Sequence, residues 1–525
     1  MPRGFARRGA LAVLLALCLA AASCTQAPPE RRDVAIGLIG EPASVFADDP
    51  SARAIAAAVT ETLVRLDAQD ELVARLASRV PTGANGGLTV EDAGGGSERL
   101  AATFELRPGL RWHDGRPITS ADVVFAWRED LRAPVGSEVR YRAERVSAMD
   151  VVDERTVRVR YRAGERWDGY ALAPRVLPQH ILASATGEVR AAYEREPVHA
   201  GPFAIAAWLP GHGVTLSAFP GYALGPPALG RLEVRFFPDR DALLDALERD
   251  EIDVAPAPAL EADLARLLDR LADGTRFVAY YTPIEAATVL RFGPAFAEDA
   301  LRRAVELTID RQRIVDIVFA GRARVATSYL APPLWAAADL GPPPPLDRDL
   351  ARALALGAGY RPGEQGILER DGRRLIVTLL VSEGSSARLQ AARLVAGDLA
   401  AIGIAADVRA APAAEVAEAL RSGDFDLAIA SEEGDDPQRA TARYREAVDP
   451  WFDALAAVAE DARERNARRE LYVELQRLWV ESRTAVPLYQ DLVVDLASAR
   501  LAGVRPPAHG GPITWNAHEW RFGPS

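Results

Sequence analysis

Residues 104–129 read FELRPGLRWHDGRPITSADVVFAWRE, and their local chemistry decides the fold. Thr103 to Arg107 reads as a short strand. Asp114-Gly115 makes a tight turn after it, because Gly accepts φ > 0 and Asp bonds its own backbone. Thr119 stands where a helix N-cap belongs, and Asp122, three residues on, completes a capping-box pattern. Val123, Val124 and Trp127 then cover one buried helix face. On this reading the segment is scaffold, and Trp112 and Asp114 are structural residues rather than ligand contacts.

Working outward, strands and helices are mixed along the whole chain. Asp33 to Gly40 reads as a strand. Ser51 to Leu66 reads as a helix, with Ile55, Val59 and Leu63 at i, i+4, i+8. Pro81 to Arg99 is rich in Gly and reads as a surface excursion. Thr156 to Arg162 alternates Val157, Val159 and Tyr161 against Arg158, Arg160 and Arg162, the mark of a half-buried antiparallel strand. Its Arg stripe reads as a solvated face. Val214 to Ala218 and Leu232 to Phe236 alternate likewise. Asp239 is placed to cap a helix over Asp239–Arg249. Further helices are expected at Leu301–Ile309, Leu389–Ile402, Ala413–Ser422 and Asn466–Ser482. Further strands are expected at Leu375–Val381, Ala405–Arg409, Asp426–Ala430 and Val486–Tyr489. Gly341 to Pro345 can only be a stiff connector. This mixture is α/β or α+β with several sheets.

Composition bounds the function. Hydrophobic residues make up 49% and charged residues 26% of the 525, which is globular composition and excludes a disordered chain. At about 150 residues per domain that length is enough for about three domains. With 74 acids against 62 bases, a nucleic-acid partner is disfavoured, since phosphate binding needs a basic face. No lysine occurs, so every base is Arg. P-loop, Schiff-base and Ser-Lys chemistry are thereby excluded.

The N-terminus reads as a leader over residues 1–23. Arg3, Arg7 and Arg8 form a basic region, and Ala10 to Ala22 is apolar. That run is too short for a bilayer, which needs about 20 residues, and suits a signal peptide. Small residues directly before Cys24 resemble a bacterial lipobox. Cys24 is thus expected to carry lipid and anchor the protein to the membrane, with residues 24–32 as a tether. Cys18 lies in the leader, so the mature fold holds no disulfide, thiol nucleophile or Cys-bound metal. The protein is expected to be exported to the extracytoplasmic side without spanning the membrane.

Catalytic signatures are missing. There is no G-x-S-x-G elbow and no H-E-x-x-H. None of the six His pair at i, i+3 or i, i+4, so no helical metal site is expected. No catalytic residue, cofactor or metal is therefore assigned.

The opening segment resembles the signature of the extracellular solute-binding proteins of family 5, the peptide/nickel/oligopeptide class that serves ATP-binding-cassette (ABC) importers. Leu106, Arg107, Gly109, Trp112, Asp114, Gly115, Pro117, Thr119, Asp122, Val123 and Phe125 fit that pattern. The likeness continues through Gly201-Pro202-Phe203 with Trp208, Pro210 and Gly211. Leu247–Val254, Leu301–Gly321, Ala351–Tyr360, Gly423–Asp426 and Pro487–Tyr489 extend it along the mature chain. The resemblance implies a class II periplasmic-binding-protein-like α/β fold, with two α/β lobes, an interlobe cleft and an extra inserted domain. Lobe I would collect residues 33–66, 200–280 and 490–525, the inserted domain 67–199, and lobe II 281–489. Chain crossings between lobes are expected near residues 280 and 490.

The resemblance also implies a ligand contact. In peptide-binding relatives an acid four places before a Pro holds the ligand's α-ammonium, since a buried ammonium needs a carboxylate partner. The matching stretch here is Ala430–Pro437, ASEEGDDP, which puts Glu433 in that place. Glu432 and Asp435 are substitutes if the loop shifts register, and Ser431 lies in the same stretch. The Trp usual in this stretch is absent. Implied partners are a short peptide or other small molecule, permease and ATPase subunits of an ABC importer, and the membrane through the lipid. A monomer is expected. The alternatives are a non-peptide solute (a nickel chelate or oligosaccharide) on the same scaffold, or an exported hydrolase or sensor.

Overall fold

A computed structural model describes residues 33–523, apart from 69–70, 136, 164–173, 261–264, 273, 434–435, 463–464 and 508–509, and apart from the side chains at 138, 265, 266 and 433. Cys24 and its tether lie outside the described residues. The elements used below are, in chain order, β1 (Asp33–Ile39), α1 (Pro50–Val59), β2 (Leu88–Gly94), β3 (Ser97–Glu105), α2 (Ser120–Asp130), α3 (Glu138–Glu144), β4 (Val146–Val151) and β5 (Thr156–Tyr161). They continue as β6 (Phe203–Leu209), β7 (Gly213–Ala218), β8 (Arg231–Phe237), β9 (Val254–Leu260), β10 (Phe277–Phe292), β11 (Ile376–Ser382), α4 (Ser386–Ala400), β12 (Ala405–Ala411), β13 (Leu427–Glu433), α5 (Pro437–Ala442) and β14 (Ala485–Ser498).

Ten strands form one sheet in the order β12-β11-β13-β10-β14-β9-β1-β8-β7-β6. The long strands β10 and β14 run antiparallel through both of its halves, from Phe277 opposite Ser498 to Arg291 opposite Ala485. Their register breaks between Pro283 and Ala287, near the middle of the sheet. In one half β1 runs parallel to β8 and β9. In the other β11 runs parallel to β12 and β13. The carboxyl end of β9 reaches Val494 of β14, and that of β13 reaches Ala286 of β10. Both sets of parallel strands therefore point their carboxyl ends at the sheet's midline, the place where open α/β sheets hold ligands.

The core follows the strand alternation. One buried cluster on one face includes Ala35, Leu496, Leu290, Leu379 and Leu427, so it continues across the midline. The other face is split. Val34, Ile36, Val254 and Ala497 belong to one cluster, and Ala287, Val289 and Ala485 to another.

The inserted sheet is antiparallel, in the order β2-β3-β5-β4. Val157, Val159 and Tyr161 are buried on its inner face. The Arg stripe faces out and is ion-paired: Arg158 lies 2.5 Å and Arg160 3.2 Å from Glu91. The opening motif is scaffold, as its chemistry predicts. Trp112 is fully buried, Gly115 has φ of 85°, and Asp122 accepts the Thr119 N–H at 2.9 Å. Asp114 pairs with His180 at 2.8 Å.

Two local expectations are corrected. The helix expected to reach Leu66 stops at Val59. The Val59 carbonyl accepts the Gly201 N–H at 2.9 Å, and a Cβ on Gly201 would sit 2.2 Å from that oxygen. Beyond it Glu61 is drawn to Arg75 at 2.9 Å, and Leu63 joins the core of the inserted sheet. The Gly-rich excursion carries β2, because Gly94, Gly95 and Gly96, all at positive φ, close a hairpin onto β3.

Candidate functional site

The floor of the site is tied together by one carboxylate on β14. Thr288 of β10 donates its hydroxyl to Asp491 Oδ1 at 2.8 Å. Ser431 of β13 donates to Asp491 Oδ2 at 2.5 Å. Three strands are thus pinned where the parallel strand ends converge. The Gln490 amide donates to the Ile284 carbonyl at 3.0 Å and to that of Pro332, which anchors the same crossing.

The residues expected from the sequence divide by strand alternation. Ser431 and Glu432 point to opposite faces. Glu432 is buried between Arg291 at 3.5 Å and Arg443 at 3.3 Å, against Tyr444. Its charge is matched inside the lobe. Burial, reinforced by that charge, pushes the Tyr444 hydroxyl well up from its ordinary value. The Glu433 backbone ends β13 opposite Ala286, while its side chain lies outside the described residues. Asp435 also lies outside them. Asp436 caps α5, accepting the Gln438 N–H at 2.7 Å.

Further cationic groups, in two places, were not legible in the sequence. Arg388 lies in the first turn of α4, the helix that follows the carboxyl end of β11. Its Nε is buried without a hydrogen-bond partner, and its charge reaches the buried Tyr489 hydroxyl on β14. A groove of about 410 Å³ lies against the inserted domain, lined by Val64, Arg65, Trp127, Asp130, Arg142, Met149 and Arg175 among others. Arg175 Nε donates to both Asp130 oxygens, at 2.9 and 3.0 Å. Burial still holds the Asp130 carboxyl above its ordinary value, against the pull of Arg175. Arg65 lies over the Trp515 ring at 5.6 Å. Three guanidiniums against one carboxylate, over an apolar floor, can take an anionic group carried on an apolar body.

A second cavity, of about 440 Å³, opens at the ends of β1 and β9, between Gly40–Ala43, Asp49–Ser51 and Pro256–Ala259. Glu41 on its rim accepts from Trp208 Nε1 at 2.6 Å and from the Gly211 N–H at 2.7 Å. Burial opposes ionisation there. These bonds and the nearby Arg195 outweigh it and hold the carboxyl below its ordinary value.

Among the described residues no group of three or more His, Cys, Asp or Glu could hold a metal ion. No helix among them is long and apolar enough to cross a membrane.

The sequence profile of the bacterial extracellular solute-binding proteins, family 5, matches residues 97–446. The chain is 25% identical over 412 residues to the oligopeptide-binding protein AppA of Bacillus subtilis, covering 75% of this chain and 73% of that one. Its fold is similar to that of the oligopeptide-binding protein of Thermus thermophilus complexed with a pentapeptide, at a TM-score of 0.69, 23% identity and coverage of 94% and 96%. It is also similar to NikZ of Campylobacter jejuni in complex with Ni(L-His), at a TM-score of 0.70, 20% identity and coverage of 94% and 99%. With the profile matching well over half of its length, and with two lobes meeting at converging strand ends, this chain belongs to the extracellular solute-binding proteins of family 5.

Proposed function

We propose that this protein captures short peptides between its lobes and delivers them to the permease of an ABC importer. The observation that carries the reading is the convergence of the parallel strand ends on the midline of the sheet, where β13 ends at Glu433, beside a separate groove that Arg65, Arg142 and Arg175 line. A peptide with free termini is the matching ligand, its ammonium toward Glu433 and its carboxylate toward an arginine. The names of the B. subtilis and T. thermophilus relatives support this class. The lobe boundaries proposed are 33–66, 200–280 and 490–525 against 281–489, with 67–199 inserted. The crossing strands β10 and β14 serve as the hinge.

Thermal unfolding with a panel of di- to hexapeptides tests the reading. Ligand at 100 times its Kd should stabilise the protein by about 2.7 kcal/mol. Peptides blocked at either terminus should lose most of that gain. Equal response to free and doubly blocked peptides would overturn it. A second reading is a metal–amino-acid chelate, favoured by the Arg-lined groove, which can take its carboxylates, and by the NikZ likeness. Stabilisation by Ni(L-His) and by no peptide would select it. On either reading the ligand is expected to be recovered unchanged after incubation with the protein, and catalytic cleavage well below one protein per ligand would overturn both.

Cys24 is proposed as the lipid anchor. Cys24→Ala is expected to move the protein from the membrane fraction to the soluble fraction. A mature N-terminus found elsewhere and free of lipid would defeat this.

A further inference from the structure

We propose that Arg439 and Tyr141 form a latch that holds the ligand cleft shut, an inference that rests on the capture reading above. Arg439 belongs to α5 in the lobe II region. Its guanidinium carbon lies 5.5 Å from the centroid of the Tyr141 ring, on α3 of the inserted domain. Tyr141 also carries Arg145, 5.4 Å from the same ring and donating to its hydroxyl at 3.1 Å. With both guanidiniums in place Tyr141 is still 43% exposed, so the contact between the lobes is only partly shielded from water. A guanidinium within about 6 Å of an aromatic centroid is attracted by the ring's negative face, and the attraction strengthens as water leaves.

The latch is geared to the site at both ends. Arg142, on the same short helix as Tyr141, lines the arginine groove. On the other side Asp436 caps the helix that bears Arg439, and it follows the acidic loop at the end of β13. A ligand that draws the two walls together therefore brings Arg439 onto the ring as part of the same movement. The latch adds to the closed state without touching the ligand, so it sets the rate of escape and makes selectivity depend on full closure. Arg439 acts here as a positioning residue.

The test uses the full mature chain with Cys24→Ser, which leaves no other thiol. Spin labels go on Cys placed at Val90 and Val458, 61% and 54% exposed, one on the inserted sheet and one in the lobe II region. Wild type is expected to sample closed distances even without ligand. R439A and Y141A should each shift the unliganded population toward open distances by roughly 3–10-fold and speed peptide release by a similar factor, the size of one partly exposed cation–π contact. The double variant should do no more than either single one. Y141F, which keeps the ring, should stay closed and confirms that folding is not the cause. Unchanged distances and release rates in R439A, or fully additive effects in the double variant, would overturn the latch. If wild type binds no peptide, the capture reading fails, while the unliganded distances still decide the latch.

Discussion

Glu433→Gln is expected to weaken capture of a peptide with a free N-terminus by two to three decades, while Glu432→Gln, one residue earlier, is expected to weaken the fold instead. The two acids differ in what matches their charge. Glu432 is 3% exposed and shared by Arg291 and Arg443. Removing its charge leaves two cations facing each other. The cost is put at roughly 2–3 kcal/mol of stability, below the ~3–5 kcal/mol of a fully buried pair because the Arg443 side chain is 42% exposed. Glu433 ends β13 at the midline, and its proposed partner is the ligand's ammonium. Deleting one member of a desolvated pair costs about 3–5 kcal/mol, which is two to three decades at about 1.4 kcal/mol each. N-acetylating the peptide should cost the wild type as much, and the two losses should not add. Calorimetric titration of both variants, beside their chemical unfolding curves, separates the two roles. Unchanged affinity in Glu433→Gln would remove that residue from the site. Wild-type stability in Glu432→Gln would show that Arg291 and Arg443 are satisfied elsewhere.

The scaffold was legible wherever one face of an element meets water. β5 alternates cleanly because its outer Arg residues stay near solvent, and Thr119 with Asp122 marks the start of α2 by cap chemistry alone. The crossing strands were not legible from periodicity. β10 reads FVAYYTPIEAATVLRF, buried on both faces over Ala286–Leu290 and broken near Pro283, so no period of two survives. β14 continues beyond the expected strand Val486–Tyr489 through Asp491 and Asp495, acids whose bonds to Ser431 and Ala257 hold them inside the sheet. It is the family likeness, not the alternation, that leads to the expectation of crossings near residues 280 and 490. Of the proposed site, Glu433 is what the family resemblance implies through its place four residues before Pro437. Arg175 and Arg388 carry no local signal in a chain whose 62 bases are all Arg. Only the topology brings Arg65, Trp127, Arg142 and Arg175 to one groove.

Replacing Asp495 is expected to make the protein more stable, by an amount that depends on pH. Asp495 is 1% exposed on β14, just beyond the register break. One carboxyl oxygen accepts the Ala257 N–H at 2.8 Å, and the other has no hydrogen-bond partner. Among the described residues, β9, which supplies that N–H, holds no ionisable side chain, and Tyr280 stands opposite Asp495 on β10. Burial pushes the Asp495 carboxyl up to about 7, against the pull of the Ala257 bond. The unfolded chain ionises near 3.8. Below that value both states hold the proton and Asp495 costs nothing through ionisation. As pH rises toward 7 the unfolded state releases the proton first, so stability falls by about 1.4 kcal/mol per pH unit. Above 7 the full penalty is present, on the order of 4 kcal/mol for about three units. D495N keeps an oxygen for the Ala257 N–H and cannot ionise. Unfolding free energies of D495N and wild type should therefore run together near pH 4, separate through pH 5 and 6, and stay apart by a constant gap above pH 7. The shape of that difference is the result to read, since the amide, like the protonated acid, leaves a donor without a partner and only the carboxylate responds to pH. Parallel curves from pH 4 to 8 would mean that the buried carboxyl is stabilised as an ion in the folded protein and that the crossing strand carries its charge at neutral pH.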